Sequence, residues 1–342
     1  MPDALSRWER PFETASGRKE VAMEFSDCFA IREECPAEPA MLWGSLLEDG
    51  SMIEFSRKVA SMSTAGLLVI AAGIVARRRA LAGPSLPDRA IALGRVFVAA
   101  SLATFGALHL AAAPGLKSMV PTYMPFPLFW VYLVGFALFA TALSLIFDRM
   151  VCWSGLLCGS MFLAFVAMMD LPGLTTMLHD RFGQALFVRE ISFGSGLIAL
   201  GISMGTPATS KSRIVAVCRV VFGLVAIFYG VETVLHPEYL PGVPLEKITP
   251  AWEPAARLWG YAIGAFLLVC GALLVVNRWA KKAGAWLGIA IAIAVVVVYL
   301  PLLGPAHGTD QVVEAIDYIF DTLLFAGTAL ILAEAIGRAQ PE

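Results

Sequence analysis

Three carboxylates, Glu314, Asp317 and Asp321, stand in the stretch VEAIDYIFDTLLF. Spacings of three and then four residues put all of them on one face of a helix. Carboxylates so disposed can relay protons, hold a cation or pair with arginines. The helix dipole favours anions in the first turn, which accounts for Glu314 and extends toward Asp317. It does not reach Asp321, about 10 Å deeper along the axis than Glu314. Asp321 therefore needs a partner, a water-filled cavity or a bound proton. Arg189 and Arg257 are the best-placed partners.

Further ionisable residues in or at the ends of apolar segments include His109, Asp170, Glu190 beside Arg189, Glu232 and Arg257. An ionisable group inside a membrane span is costly and marks a functional candidate. Each also has a plain reading as a helix cap or an interfacial residue. We take His109, Glu190, Glu232, Arg257, Asp317 and Asp321 as the ligand-binding set of one polar cavity, and nominate no catalytic residue. His109, Asp170, His179 and Glu190 have metal-ligand chemistry, but their spacing demands no ion and none is expected. The triplet GSG at 194–196 lies inside an apolar run, so it marks close helix packing rather than a phosphate loop. No Ser/His/Asp order and no paired helical histidines suggest an acyl-transfer site or haem. Of six cysteines none forms a C-x-x-C pair; Cys152, Cys158, Cys218 and Cys270 read as small packing residues.

These groups need elements to position them, and composition names the kind. Of 342 residues, 58% are hydrophobic and only 15% charged, against about 45–50% and about 25% in soluble domains. Mean hydropathy is +0.74. The net charge of −2 offers no nucleic-acid surface. About 20 apolar residues in a helix cross a bilayer. Nine such stretches are predicted, at 59–76, 91–113, 127–147, 151–171, 185–204, 213–235, 255–276, 284–303 and 315–336. The fold class is an all-α integral membrane protein. Basic residues gather in alternate links: Arg77, Arg78, Arg79, Arg89 and Arg95; Arg149; Lys211, Arg213 and Arg219; Arg278, Lys281 and Lys282. The positive-inside rule places those links in the cytoplasm, the N-terminus outside and the C-terminus inside, in an inner (plasma) membrane of bacterial type. Arg95 is then expected to snorkel to the cytoplasmic interface. Trp130, Tyr132, Trp252 and Trp259 fit one aromatic belt, and Trp153, Trp279 and Trp286 the other.

Residues 1–58 are charged and lack a clean period. They read as an extramembrane or disordered segment, or as untranslated: codons for Glu48-Asp49-Gly50 can spell a ribosome-binding purine run before Met52. Residues 59–90 form the leading helix and its basic link.

The rest contains an internal echo. LGRVFVAASLATFGALHL (93–110) parallels VCRVVFGLVAIFYGVETVL (217–235), with Arg95 against Arg219 and Phe105-Gly106 against Tyr229-Gly230. FDRM parallels NRWA, and MMDLPGL parallels VVYLPLL, setting Pro172 against Pro301. Two units follow, 91–204 and 213–336. An even number of crossings in each points both the same way, giving a leading helix plus two parallel four-helix bundle repeats.

Each unit resembles the DoxX-like family of small four-helix membrane proteins. The marks are GRVFVAASLATFGALH, with its arginine near one end, and the proline-bearing link VPTYMPFPLFWVYLVGFAL leading into a glycine-bearing second helix. The family includes subunits linked to quinone-dependent oxidation, so the resemblance implies a membrane protein that handles or neighbours quinones. The favoured expectation is an accessory protein, not an enzyme on its own, that binds a small amphipathic molecule such as a quinone or lipid. The alternatives are a membrane subunit of a quinone-linked oxidoreductase fed by a redox partner subunit, and a transporter. A transporter wants its site near the midplane, whereas the charges here cluster toward one face.

Overall fold

The computed structural model describes residues 51–173, 181–205, 208–241, 247–250, 255–306 and 308–339. Nine helices among these residues are long and apolar enough to cross a membrane. They are built on α1 (Ser51–Arg77), α2 (Leu86–Ala111), α3 (Pro127–Phe147), α4 (Val151–Phe165), α5 (Arg181–Gly205), α6 (Ala208–Leu235), α7 (Ala256–Val275), α8 (Ala280–Ala294) and α9 (Thr309–Ala339), the fourth span running on from α4 to Asp170 and the eighth from α8 to Leu303. The chain is an all-helical, multi-pass membrane protein. The described residues contain no strand, only a single bridge between Tyr239 and Ile248. The expectations for residues 1–50 lie outside the described residues.

Local chemistry sets the helix ends. Ser85 caps α2, its hydroxyl accepting from the Asp88 backbone N–H at 3.3 Å. Pro127 opens α3, where a missing N–H leaves no bond unmade. Both α4 and α8 widen into a five-residue π-helical turn, Val166–Asp170 and Val295–Tyr299. Each then tightens into a short 3₁₀ turn holding Pro172 or Pro301.

Other backbone features also recur in the two halves. Among the described residues six other than glycine adopt the left-handed conformation, in the pairs Phe126 and Ala255, Asp148 and Asn277, Met150 and Trp279. The residues of each pair are separated by the same number of positions, which also separates the two π-turns and the two prolines.

Glycine fixes how closely the helices approach. A Cβ on Gly159 of α4 would stand 2.8 Å from the Gly194 carbonyl oxygen of α5, and one on Gly155 2.8 Å from the Leu197 oxygen. Gly223 and Gly230 of α6 press against Gly271 and Gly264 of α7 in the same manner. Small residues at such crossings let backbones touch, which is how helices associate without a hydrophobic driving force. Gly159→Val is therefore expected to lower stability by about 1–3 kcal/mol, because the neighbour it meets is backbone. Thermal unfolding in mild detergent reads this. Gly115→Val is the control, since nothing lies within 4 Å of its Cβ.

The halves do not segregate. α9 is buried along nearly its whole length and packs on α1, α2, α5, α6 and α8. It meets α2 more extensively than α6, while α6 meets α5. One apolar core therefore runs through both halves. At its centre Phe222 of α6 stacks on Phe325 of α9, with ring centroids 5.1 Å apart, and Tyr229 meets the same ring edge-on. The Tyr229 hydroxyl donates to the Ala185 carbonyl at 2.6 Å and ties α6 to α5. Cys158, Cys218 and Cys270 are buried free thiols. By contrast α1 leaves most of its surface exposed.

Links that carry basic residues come together at one end, the basic end, where Lys281 at the start of α8 lies 3.7 Å from Asp88 at the start of α2. Arg95 corrects its sequence reading there: it does not snorkel but is only 1% exposed. Its Nε donates to Glu334 Oε2 at 2.9 Å and its Nη2 to Glu334 Oε1, while Nη1 donates to Asp148. Glu334 also accepts from Arg338, and Arg77 approaches Asp148 at 3.9 Å. Arg219, matched to Arg95 in the sequence, donates to the Val275 carbonyl at the close of α7 (3.0 Å). Both arginines thus put positive charge at the C-terminus of a neighbouring helix, where the dipole is negative.

Candidate functional site

In the other half along the helix axes, the acidic half, α5 and α9 cross and bring Arg189 to Asp321. The Arg189 Nη1 donates to Asp321 Oδ2 at 2.8 Å. The Asp321 side chain is 4% exposed and that of Arg189 19%. Asp321 lies more than three turns inside α9, beyond any capping role. Of the two partners the sequence offered, Arg189 is the one that reaches it. Arg257 is exposed at the start of α7.

Arg189 is the hub of the site. Asp170, Glu190 and Asp317 all lie within electrostatic range of its guanidinium. Asp170 and Glu190 lie within range of each other. Three atoms of the group are buried without a hydrogen-bond partner among the described residues: Arg189 Nε, Glu190 Oε2 and Asp170 Oδ2. Buried polar atoms are normally paired, so three orphans in one cluster call for an explanation. A ligand or ordered water that both donates and accepts would satisfy them.

The other members of the expected set go elsewhere. Glu232 faces Arg181, the two 3.3 Å apart. The His109 Nδ1 donates to the carbonyl of Phe105, one turn back on its own helix, at 2.8 Å. Glu314, outside that set, pairs with Lys247 at 2.9 Å. Of the six expected residues, Glu190, Asp317 and Asp321 converge on Arg189, and His109, Glu232 and Arg257 do not. Arg189 itself and Asp170 stood outside that set, although the sequence marked both as ionisable residues of apolar helices. Among the described residues no three His, Cys, Asp or Glu side chains are arranged to hold a metal ion.

Two pockets adjoin the π-turns, and none of the six residues lines either. The first, about 420 Å³, lies between the α2–α3 link and the end of α4. Its walls include Met119, Tyr123, Met168, Met169, Asp170 and Pro172. The second, about 230 Å³, is an apolar groove between α7 and α8, floored by Trp259, Phe266, Ile293 and Val297.

The chain matches no protein-family model, no curated protein and no solved structure.

Proposed function

We propose that this chain is a DoxX-like protein of a bacterial-type inner membrane that binds a small amphipathic molecule, such as a quinone or lipid, in its acidic half. It consists of a leading helix and two parallel four-helix repeats. Its basic links lie in the cytoplasm, with the N-terminus outside. The paired left-handed residues, paired π-turns and paired prolines support the repeat. The packing of α9 against α2, and of α6 against α5, supports two repeats sharing one core rather than two bundles side by side. The clustering of basic links at one end supports the orientation.

The observation that carries the function is the Arg189–Asp321 pair with its unpaired neighbours. A buried ion pair is poor evidence of a stabilising device, because desolvation offsets much of its attraction. This pair sits at the crossing of the two halves, beside a carboxylate and a guanidinium nitrogen that nothing in the described residues satisfies. A polar head that both donates and accepts fits there, with its tail along the apolar helices.

The test is mass spectrometry of small molecules extracted from the protein purified in mild detergent. A quinone or a single lipid species in stoichiometric amount is expected. A quinone would direct the search to a redox partner subunit. Bulk phospholipid alone, in the proportions of the host membrane, would reject the reading.

A further inference from the structure

The first pocket differs in character from the Arg189 cluster, and it invites a different ligand. Its rim carries the exposed ring of Tyr123 and its walls three methionines, Met119, Met168 and Met169. Its one carboxylate, Asp170, ends the first π-turn. A π-turn shifts the backbone register and leaves carbonyls in search of donors. The Tyr123 hydroxyl meets one of them, donating to the Met168 oxygen at 3.1 Å. That bond fastens the α2–α3 link to the end of α4 and gives the pocket a fixed wall.

The second half supplies a comparison. Tyr299 ends the second π-turn, as Asp170 ends the first. Its ring is fully buried, and its hydroxyl donates to the Pro241 carbonyl at 3.0 Å. A large side chain there fills the space and closes its own hydrogen bond. In the first half a short carboxylate replaces it and the space stays open, with Asp170 in its wall. The pocket is thus a place where one half has kept a cavity and placed a charge in it.

Charge decides the ligand class. Glu190 lies within electrostatic range of Asp170, and the nearest cation, Arg189, is already engaged by Asp321. Lys117 on the adjoining link is exposed to solvent, where its charge is screened. The pocket floor is therefore anionic. An aromatic ring favours a cation over its face. Methionine walls adapt to irregular apolar shapes. A volume of about 420 Å³ suits a small organic molecule.

We propose that this pocket is a second binding site, adjoining the amphiphile site at Arg189 and sharing Asp170 with it, and that it takes amphipathic organic cations: an ammonium or phosphonium centre against Asp170, with apolar arms between Tyr123 and the methionines. The proposal stands whether or not a quinone or lipid is found at Arg189.

Two probes of nearly one shape and opposite charge test it. Tetraphenylphosphonium and tetraphenylborate are each dialysed to equilibrium against the detergent-solubilised full chain, with empty micelles as blank. Saturable binding of the phosphonium and none of the borate is expected. Asp170→Asn should weaken phosphonium binding at least tenfold, and Asp170→Glu should restore most of it. Equal binding of both ions, no saturable phosphonium binding, or unchanged affinity in a folded Asp170→Asn variant would each overturn the proposal. If Asp170→Asn does not fold, the comparison of the two ions on the parent still decides. A parent that binds neither ion yet carries a stoichiometric quinone refutes this site and leaves the Arg189 reading intact.

Discussion

Arg95→Ala is expected to destabilise the protein by about 3–5 kcal/mol, the usual consequence of removing one partner from a buried ion pair. Both nitrogens of the guanidinium fork that face Glu334 are used, and the third reaches Asp148. The side chain is almost wholly enclosed. Alanine would leave Glu334, itself 12% exposed, with Arg338 alone. It would also leave a void where a long side chain had packed against Met204. The apparent Tm in detergent should fall by roughly 10 °C. Arg95→Lys should recover only part of this, since an ammonium cannot reproduce the bidentate fork. A variant melting within 2 °C of the parent would mean that Arg338 and Arg77 neutralise this end by themselves. Because α2, α3 and α9 meet at this one residue, the loss should appear as cooperative unfolding rather than as fraying of one helix.

The sequence revealed spans more readily than partners, and the reason is physical. A crossing needs a run of apolar residues of set length, so hydropathy located nine of them within a few residues of where they stand. One difference is at the start of α1. It begins at Ser51 rather than 59, because nothing in hydropathy stops a helix from continuing into Glu54, Arg57 and Lys58. Partners are another matter. Arg95 finds Glu334 at a sequence separation of 239, and no local pattern records that. Glu334 did carry a signal, as the one carboxylate in GTALILAEAIG. It was open to reading as the counter-charge for an arginine too deep to reach water easily. Asp321 was legible as a group in need of a partner because its depth on α9 follows from helix geometry alone. The choice between Arg189 and Arg257 did not follow, because it depends on how α5 crosses α9. The π-turns left only their prolines as a trace. Asp170, which owes its place in the first pocket to such a turn, was visible as a charge but not as a site.

Asp321→Asn separates a structural ion pair from a ligand-holding one only in combination with its double variant. Alone, it should destabilise by about 3 kcal/mol, since Arg189 keeps its charge in a mostly buried setting and loses the carboxylate charge that balances it. The nearby Glu190 and Asp317 carboxylates soften the loss without removing it. In Arg189→Met with Asp321→Leu, both charges leave together and apolar volume takes their place. Such replacements are often neutral or stabilising by about 1–4 kcal/mol, so most of the melting temperature should return. What should not return is the bound amphiphile, because the double variant supplies neither a guanidinium nor a carboxylate for its head. Stability recovered with occupancy lost is the expected result, read by thermal unfolding and by mass spectrometry of the same preparations. Stability and occupancy recovered together would show that the pair serves only to join α5 to α9, and the binding site would then have to be sought elsewhere in the acidic half.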